Sequence, residues 1–260
     1  MLREIQGGYI KSELHNGIST IEFFHPQSNS LPGKILTALA NEIHGAGNEA
    51  DIKMILLRSG GERAFCAGAS FDELLAIRNE LEGLEFFSGF AHLINAMRKC
   101  PKFIVARVHG KCVGGGVGLV AAADYAVAVE AAEIKLSELA IGIGPFVVGP
   151  AVQRKMELSA FSQLSIDASM WRSADWARRH GLYAELHNDI TGMDESIFRL
   201  AESLAHSSPQ AMAEMKKIFW HGTDHWDKLL IERAGISGKL ILSEHSRKAI
   251  EKFKNRQAGH

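Results

Sequence analysis

From Val108 to Val127 the chain reads VHGKCVGGGVGLVAAADYAV, with five glycines (Gly110, Gly114, Gly115, Gly116 and Gly118) in nine residues, followed by small apolar residues up to Asp124. Glycine in or beside a helix costs about 1 kcal/mol relative to alanine. A glycine-rich start to an apolar helix therefore demands a fold in which something comes close to the backbone there. The preceding FIVARVHG (Phe103 to Gly110) is rich in β-branched residues and ends in glycine, as a buried strand does. Strand, glycine loop and buried helix together form an element of an α/β architecture.

The same grammar extends through the first two-thirds of the chain. YIKSELHNGISTIEFFHP alternates as two strands joined at Asn16-Gly17, a strong hairpin dipeptide. A helix is expected from Pro32 to about His44, with Ile35, Leu36, Leu39 and Ile43 on one face. IKMILLRS (Ile52 to Ser59) reads as a buried strand, and the segment from Phe71 to Cys100 as one or two amphipathic helices. Short strands follow at Ala126–Val129 and around Ile134–Leu136. After about Ser196 strand signals stop and helical periodicity runs to the end, so residues 1–195 are expected to form an α/β core and 196–260 a helical region. That region carries Phe219, Trp220 and Trp226. An apolar helical layer of this kind serves either as an oligomer surface or as packing on its own core.

Composition narrows the function. The 260 residues are 46% hydrophobic and 23% charged, with 29 basic and 30 acidic residues. That near-neutral balance, without a basic block, argues against nucleic acid or an anionic membrane as partner. The N-terminal MLREIQGGYIKSELHNG lacks the apolar core of a signal peptide, which gives a cytoplasmic expectation. Cys66, Cys100 and Cys112 make no CxxC pair, and the twelve histidines no HExxH, so no metal site is expected.

The glycine run does not match a phosphate cradle. In the register of a dinucleotide-binding GxGxxG its third glycine is missing, the GK[ST] of a Walker A loop is absent, and no GxSxG elbow occurs. Two uses remain. Glycines can let helix and sheet pack tightly, or they can expose peptide N–H groups at a helix N-terminus to a developing oxyanion. RAFCAGASFDEL (Arg63 to Leu74) is a second stretch of small residues between a strand and a helix, so two loops are available, each able to supply one N–H donor.

FCAGASFDEL, then HGKCVGGGVGLVAAADYAVA, then LSELAIGIGPF together resemble the crotonase (enoyl-CoA hydratase/isomerase) superfamily, in the expected order and over nearly the whole chain. The resemblance implies a spiral of ββα units with a C-terminal helical region that builds a homotrimer or a dimer of trimers. It implies an acyl-CoA substrate, with coenzyme A present only as part of the thioester and no other cofactor. The oxyanion donors would be Ala69 and Gly115, and Ala67, Gly68, Gly114, Gly118 and Phe146 would be substrate-binding positions.

The resemblance also assigns the acid/base. Two-carboxylate hydratases of the family have a glutamate where this chain has Gly118, and dienoyl-CoA isomerases an aspartate where it has Phe146. Glu138 is the one carboxylate left, and apolar neighbours are expected to raise its pKa. A single carboxylate suits a 1,3-proton shuttle, so enoyl-CoA isomerisation is placed slightly ahead of hydration, a methylglutaconyl-CoA-type hydratase included. A non-catalytic acyl-CoA-binding protein is the alternative of another class. Asp124 is expected to be structural and Cys66 a packed thiol. Ser70 replaces a frequent aspartate, and Lys34, Lys248, Lys252 and Lys254 are read as solvated.

Overall fold

A computed structural model describes residues 1–5 and 7–258, with side chains through Phe253. The chain opens with β1 (Leu2–Ile5), β2 (Gly8–His15), β3 (Ile18–Phe24), β4 (Ser30–Leu31) and α1 (Gly33–Asn48). Then come β5 (Met54–Ser59), β6 (Ala64–Cys66), β7 (Gly68–Ala69), α2 (Phe71–Ala76) and α3 (Glu80–Lys99). β8 (Phe103–Val108), β9 (Lys111–Val113) and α4 (Gly115–Ala122) follow, then β10 (Tyr125–Val129), β11 (Ile134–Lys135) and α5 (Gly149–Ile166). The chain closes with α6 (Ala174–Arg179), β12 (Glu185–His187), α7 (Ile190–Ala205), α8 (Pro209–Phe219), α9 (Trp226–Leu240) and α10 (Glu244–Ala258).

The hairpin forms as its dipeptide requires. β2 and β3 pair antiparallel up to His15 opposite Ile18, and Asn16 and Gly17 both take positive φ (49° and 79°), as a tight two-residue turn needs. From β3 onward the connections are right for a spiral. β3, β5, β8, β10 and β12 add in parallel to one seven-stranded sheet, ordered β1-β2-β3-β5-β8-β10-β12. The short strands β6, β9 and β11 build a second parallel sheet beside it. Each turn thus lays a long strand in the large sheet, a short one in the small sheet and then a helix, which is the ββα repeat expected. The core lies between these layers, with Ile35, Leu36, Leu39 and Ile43 of α1 fully buried in it.

The C-terminal helices close over this spiral. The last strand ends at His187 and α7 begins at Ile190, so residue 196 falls inside a helix and the change from sheet to helix comes earlier than expected. Trp226, Leu230 and Ala234 put one face of α9 into the core. A Cβ on Gly83 would stand 2.6 Å from the Cα of Gly238, so α3 and α9 touch backbone to backbone. Of the apolar residues singled out in this region, Trp226 is buried and meets Trp220 edge to face, whereas Phe219 stays 47% exposed. α5, α6 and β12 had no counterpart in the sequence reading.

Asp124, expected to be structural, is the anchor of this closure. Its side chain is buried, and its Oδ2 accepts from Lys216 Nζ of α8 (2.8 Å) and from the Ile104 amide of β8 (2.8 Å). Oδ1 accepts from Trp220 Nε1 at 3.2 Å. Lys216 also donates to the Lys102 carbonyl (2.8 Å), so one ion pair binds sheet, α4 and the C-terminal layer together. Among the described residues, no helix is long and apolar enough to cross a membrane.

Candidate active site

Two short elements bring the first oxyanion candidate into place. β7 pairs in parallel with β4, with Ser30 opposite Gly68 and Leu31 opposite Ala69. Ahead of β4, buried Asn29 donates through Nδ2 to the carbonyls of Gly60 and Ala64 (both 2.8 Å), while its Oδ1 accepts the His25 amide. The loop before Ala69 is therefore held by side-chain bonds as well as by a ladder. Downstream, Ser70 caps α2, accepting from the Glu73 amide at 3.4 Å, so a serine does the work of the family's aspartate.

The second candidate sits at the start of α4, an eight-residue helix in which every residue is buried. Gly114, its N-cap, has φ +52°, a conformation that favours glycine. A Cβ on Gly68 would lie 2.7 Å from the Val113 carbonyl oxygen and 3.2 Å from the Gly115 nitrogen. The glycines thus let the two loops touch, and Ala67, Gly68, Ala69, Gly114 and Gly115 line one cavity. That answers for the density of glycine: the first amides of α4 lie without intrahelical acceptors at the positive end of a helix dipole, on the cavity wall.

Glu138 enters the same cavity from the turn after β11. It precedes a one-turn 3-10 helix, Leu139–Ile141, whose cap Gly142 (φ +79°) lies so close to α10 that a Cβ there would be 2.4 Å from Ser246 Oγ. Oε1 stands over Gly114, 3.1 Å from where its Cβ would be. Oε2 is buried with no hydrogen-bond partner, and no arginine or lysine pairs with the carboxylate among the described residues. Burial pushes its pKa up to about 7, opposed weakly by its own backbone N–H. Of its apolar neighbours in sequence, Leu136 and Ile141 are buried around it, while Leu139 is 52% exposed.

Phe146 lines the cavity as expected, together with Val147 and Val148, and the Phe146 carbonyl accepts from Arg233 at 3.4 Å. Gly118 does not. The space its side chain would take is filled by Val148, whose Cγ1 would be 2.4 Å from a Cβ at that position. The vacant carboxylate slot is thus a packed apolar contact, with no room for a glutamate. Cys66 is a packed thiol: it is fully buried, its Sγ accepts the Gly68 amide, and desolvation pushes its pKa up to about 12. Lys34 and Lys252 are exposed and Lys248 pairs with Glu244; the Lys254 side chain lies outside the described residues.

Sequence reasoning missed three contributors. Ser137 and Ser237 line the cavity, their hydroxyls without a hydrogen-bond partner among the described residues, and Phe90 of α3 forms part of its wall. Ser137 adjoins Glu138 and could have been noticed there. Nothing local marks Ser237 or Phe90, which reach the site through helix packing.

The site can be set beside known proteins. The chain is 25% identical over 237 residues to a probable enoyl-CoA hydratase of Bacillus subtilis, covering 91% of this chain and 92% of that one. It is 28% identical over 202 residues to a carnitinyl-CoA dehydratase of Salmonella enteritidis (78% and 76% covered). The crystal structure of an enoyl-CoA hydratase from Bacillus halodurans superposes with a TM-score of 0.86 at 21% identity, over 94% of this chain and 99% of that one. A family model described as enoyl-CoA hydratase/isomerase matches residues 13–260. With spiral fold, paired glycine loops and family match all in agreement, the chain belongs to the enoyl-CoA hydratase/isomerase family, within the crotonase superfamily.

Proposed function

We propose that the protein acts on an acyl-CoA by forming a thioester enolate, with Glu138 as its single acid/base and Ala69 and Gly115 as oxyanion donors, and that its reaction is migration of a double bond from C3 to C2. The carboxylate of Glu138 takes the proton from C2 of a 3-enoyl-CoA. The C–H electron pair spreads over C2, C4 and the thioester oxygen as a dienolate, and that oxygen lies against the two backbone N–H groups. Glu138 returns the proton at C4, and the 2-enoyl thioester is restored with no water consumed. Each oxyanion donor is worth about 3–4 kcal/mol in sites of this kind. The observation that carries the reading is the Glu138 carboxyl, buried, unpaired and set over the glycine loop, with a pKa pushed up to about 7. A carboxylate spared for structure would have a partner; one at neutral pKa suits proton transfer in both directions. With 3-butenoyl-CoA the purified protein is expected to generate 2-enoyl absorbance. No signal, together with no exchange of the C2 protons in heavy water, would remove the enolate reading.

A specific observation favours hydration as the second reading. The free hydroxyls of Ser137 and Ser237 supply what one carboxylate lacks, a group to orient water, and relatives named hydratase and dehydratase support it. If 2-butenoyl-CoA takes up labelled water, Ser237→Ala is expected to slow that reaction about tenfold, the worth of one hydrogen bond. Double-bond migration should change less than about twofold, since it uses no water. Equal losses in both reactions would assign Ser237 a packing role.

The same reading takes the enzyme to be cytoplasmic and a homotrimer or dimer of trimers. Phe198 and Ile218, 61% and 70% exposed on the C-terminal helices, support an assembly that covers them. Sedimentation velocity is expected to give at least three times the chain mass, and a monomer at micromolar concentration would contradict it.

A further inference from the structure

The cavity beside Glu138 is small, and its size is set by elements that have little freedom to retreat. Its free volume is about 50 Å³, against the roughly 150 Å³ of a protein cavity that accepts benzene. Phe90 takes up much of the space next to the oxyanion loop. The ring is 4% exposed, and its Cε1 lies 2.3 Å from where a Cβ of Gly115 would stand, so it rests directly on that glycine. Phe86 backs it edge to face with ring centres 6.1 Å apart. α3, which carries both rings, is held from two sides. Gly83 meets Gly238 of α9 backbone to backbone, and a Cβ on Gly89 would be 3.0 Å from Leu36 Cδ1 of α1. Neither a shift of the helix nor a rotation of the ring opens the cavity without unpacking one of these contacts.

We infer that the site is built for a short acyl group, of about four carbons, and that Phe90 is the residue that sets this limit. The inference rests on the proposal that the thioester lies at Ala69 and Gly115, but it concerns how far the acyl chain can be buried beyond that point, which binding reports without chemistry. Each further methylene that enters an apolar pocket strengthens binding about fourfold. A chain that must leave its tail in water gains nothing.

The test is calorimetric titration of the 260-residue protein with saturated butyryl-, hexanoyl-, octanoyl- and decanoyl-CoA. For the wild type, affinity is expected to level off or fall beyond butyryl-CoA. For Phe90→Ala it is expected to rise with length, by at least about tenfold between butyryl- and decanoyl-CoA, if even two of the added methylenes are buried. Phe90→Val serves as a second variant should the alanine form lose its fold, which circular dichroism reports. Wild-type affinity that climbs steadily with chain length would overturn the inference without recourse to any variant. Length-independent affinity in well-folded Phe90→Ala and Phe90→Val would overturn the assignment to Phe90. Absent turnover of 3-butenoyl-CoA, alongside the expected binding pattern, would sink the enolate proposal and leave the size limit standing.

Discussion

Glu138→Gln is expected to lower turnover toward the far end of the about 10²- to 10⁴-fold range of general acid–base catalysis, because no second carboxylate stands in the Gly118 position to take over. The same substitution is expected to stabilise the fold at alkaline pH. In the native state the buried carboxyl holds its proton up to about pH 7, against an ordinary value of 4.5. Between those two pH values the native protein binds more protons than the unfolded chain, so raising the pH favours unfolding. The wild type therefore loses stability from about pH 4.5 to 7 and holds a constant penalty above, which comes to about 3 kcal/mol at 1.36 kcal/mol per unit. Glutamine carries no such penalty. Urea denaturation at pH 5, 6, 7 and 8 should show the variant's advantage growing with pH and levelling off near 8. A wild-type stability without that slope would mean that Glu138 titrates as an ordinary carboxylate. The activity profile gives a separate check: as the base, Glu138 must be ionised, so kcat/KM should rise through about pH 7.

Lys216→Met is expected to be the most damaging substitution outside the active site. It leaves the Asp124 carboxylate, buried against β8 and α8, without its cation. Removing one partner of a buried pair costs about 3–5 kcal/mol, largely because the other charge stays buried. In a domain of this size that lowers Tm by about 10 °C. The Lys155 ammonium does not replace it, since it is engaged with the main-chain carbonyls of Ala123 and Asp124 at 2.9 and 3.0 Å. Adding Asp124→Asn to Lys216→Met removes the stranded charge and should recover part of the loss, because an amide oxygen can still accept from Ile104 and Trp220. Calorimetry showing the double variant less stable than the single one would mean that the carboxylate's hydrogen bonds outweigh its charge.

The elements most legible in the sequence were those whose determinants are local. Asn16-Gly17 specifies its turn through two positive φ angles, and the α1 face follows from helical spacing alone. The two glycine loops were legible for another reason: glycine at Gly114 and Gly68 is required by backbone geometry, and the motifs that resemble the family sit on that geometry. Glu138 was legible as a residue, but its burial owes less to its neighbours in sequence than expected, since Leu139 points to solvent while α10 covers the turn. The remainder depends on contacts between distant segments. Gly118 counts as an empty slot by position and turns out to be filled by Val148. Ser237 lies at the cavity because two glycines let α9 approach α3, a fact that no window of either helix contains.

The buried pair of Asp124 and Lys216 also bears on the order in which the protein is made. The cation lies 92 residues after the carboxylate, and the indole that completes its hydrogen bonds 96 residues after it. At ribosomal speed, those partners leave the peptidyl-transferase centre roughly 5–20 s after the aspartate does. Throughout that interval the glycine loops and the strands of the large sheet up to β8 already exist as polypeptide, yet burying Asp124 would strand an ion in a low-dielectric interior. The nascent spiral must keep this corner wet until α8 is synthesised. Closure of the corner around Asp124 is thereby timed by translation of the helices that follow it.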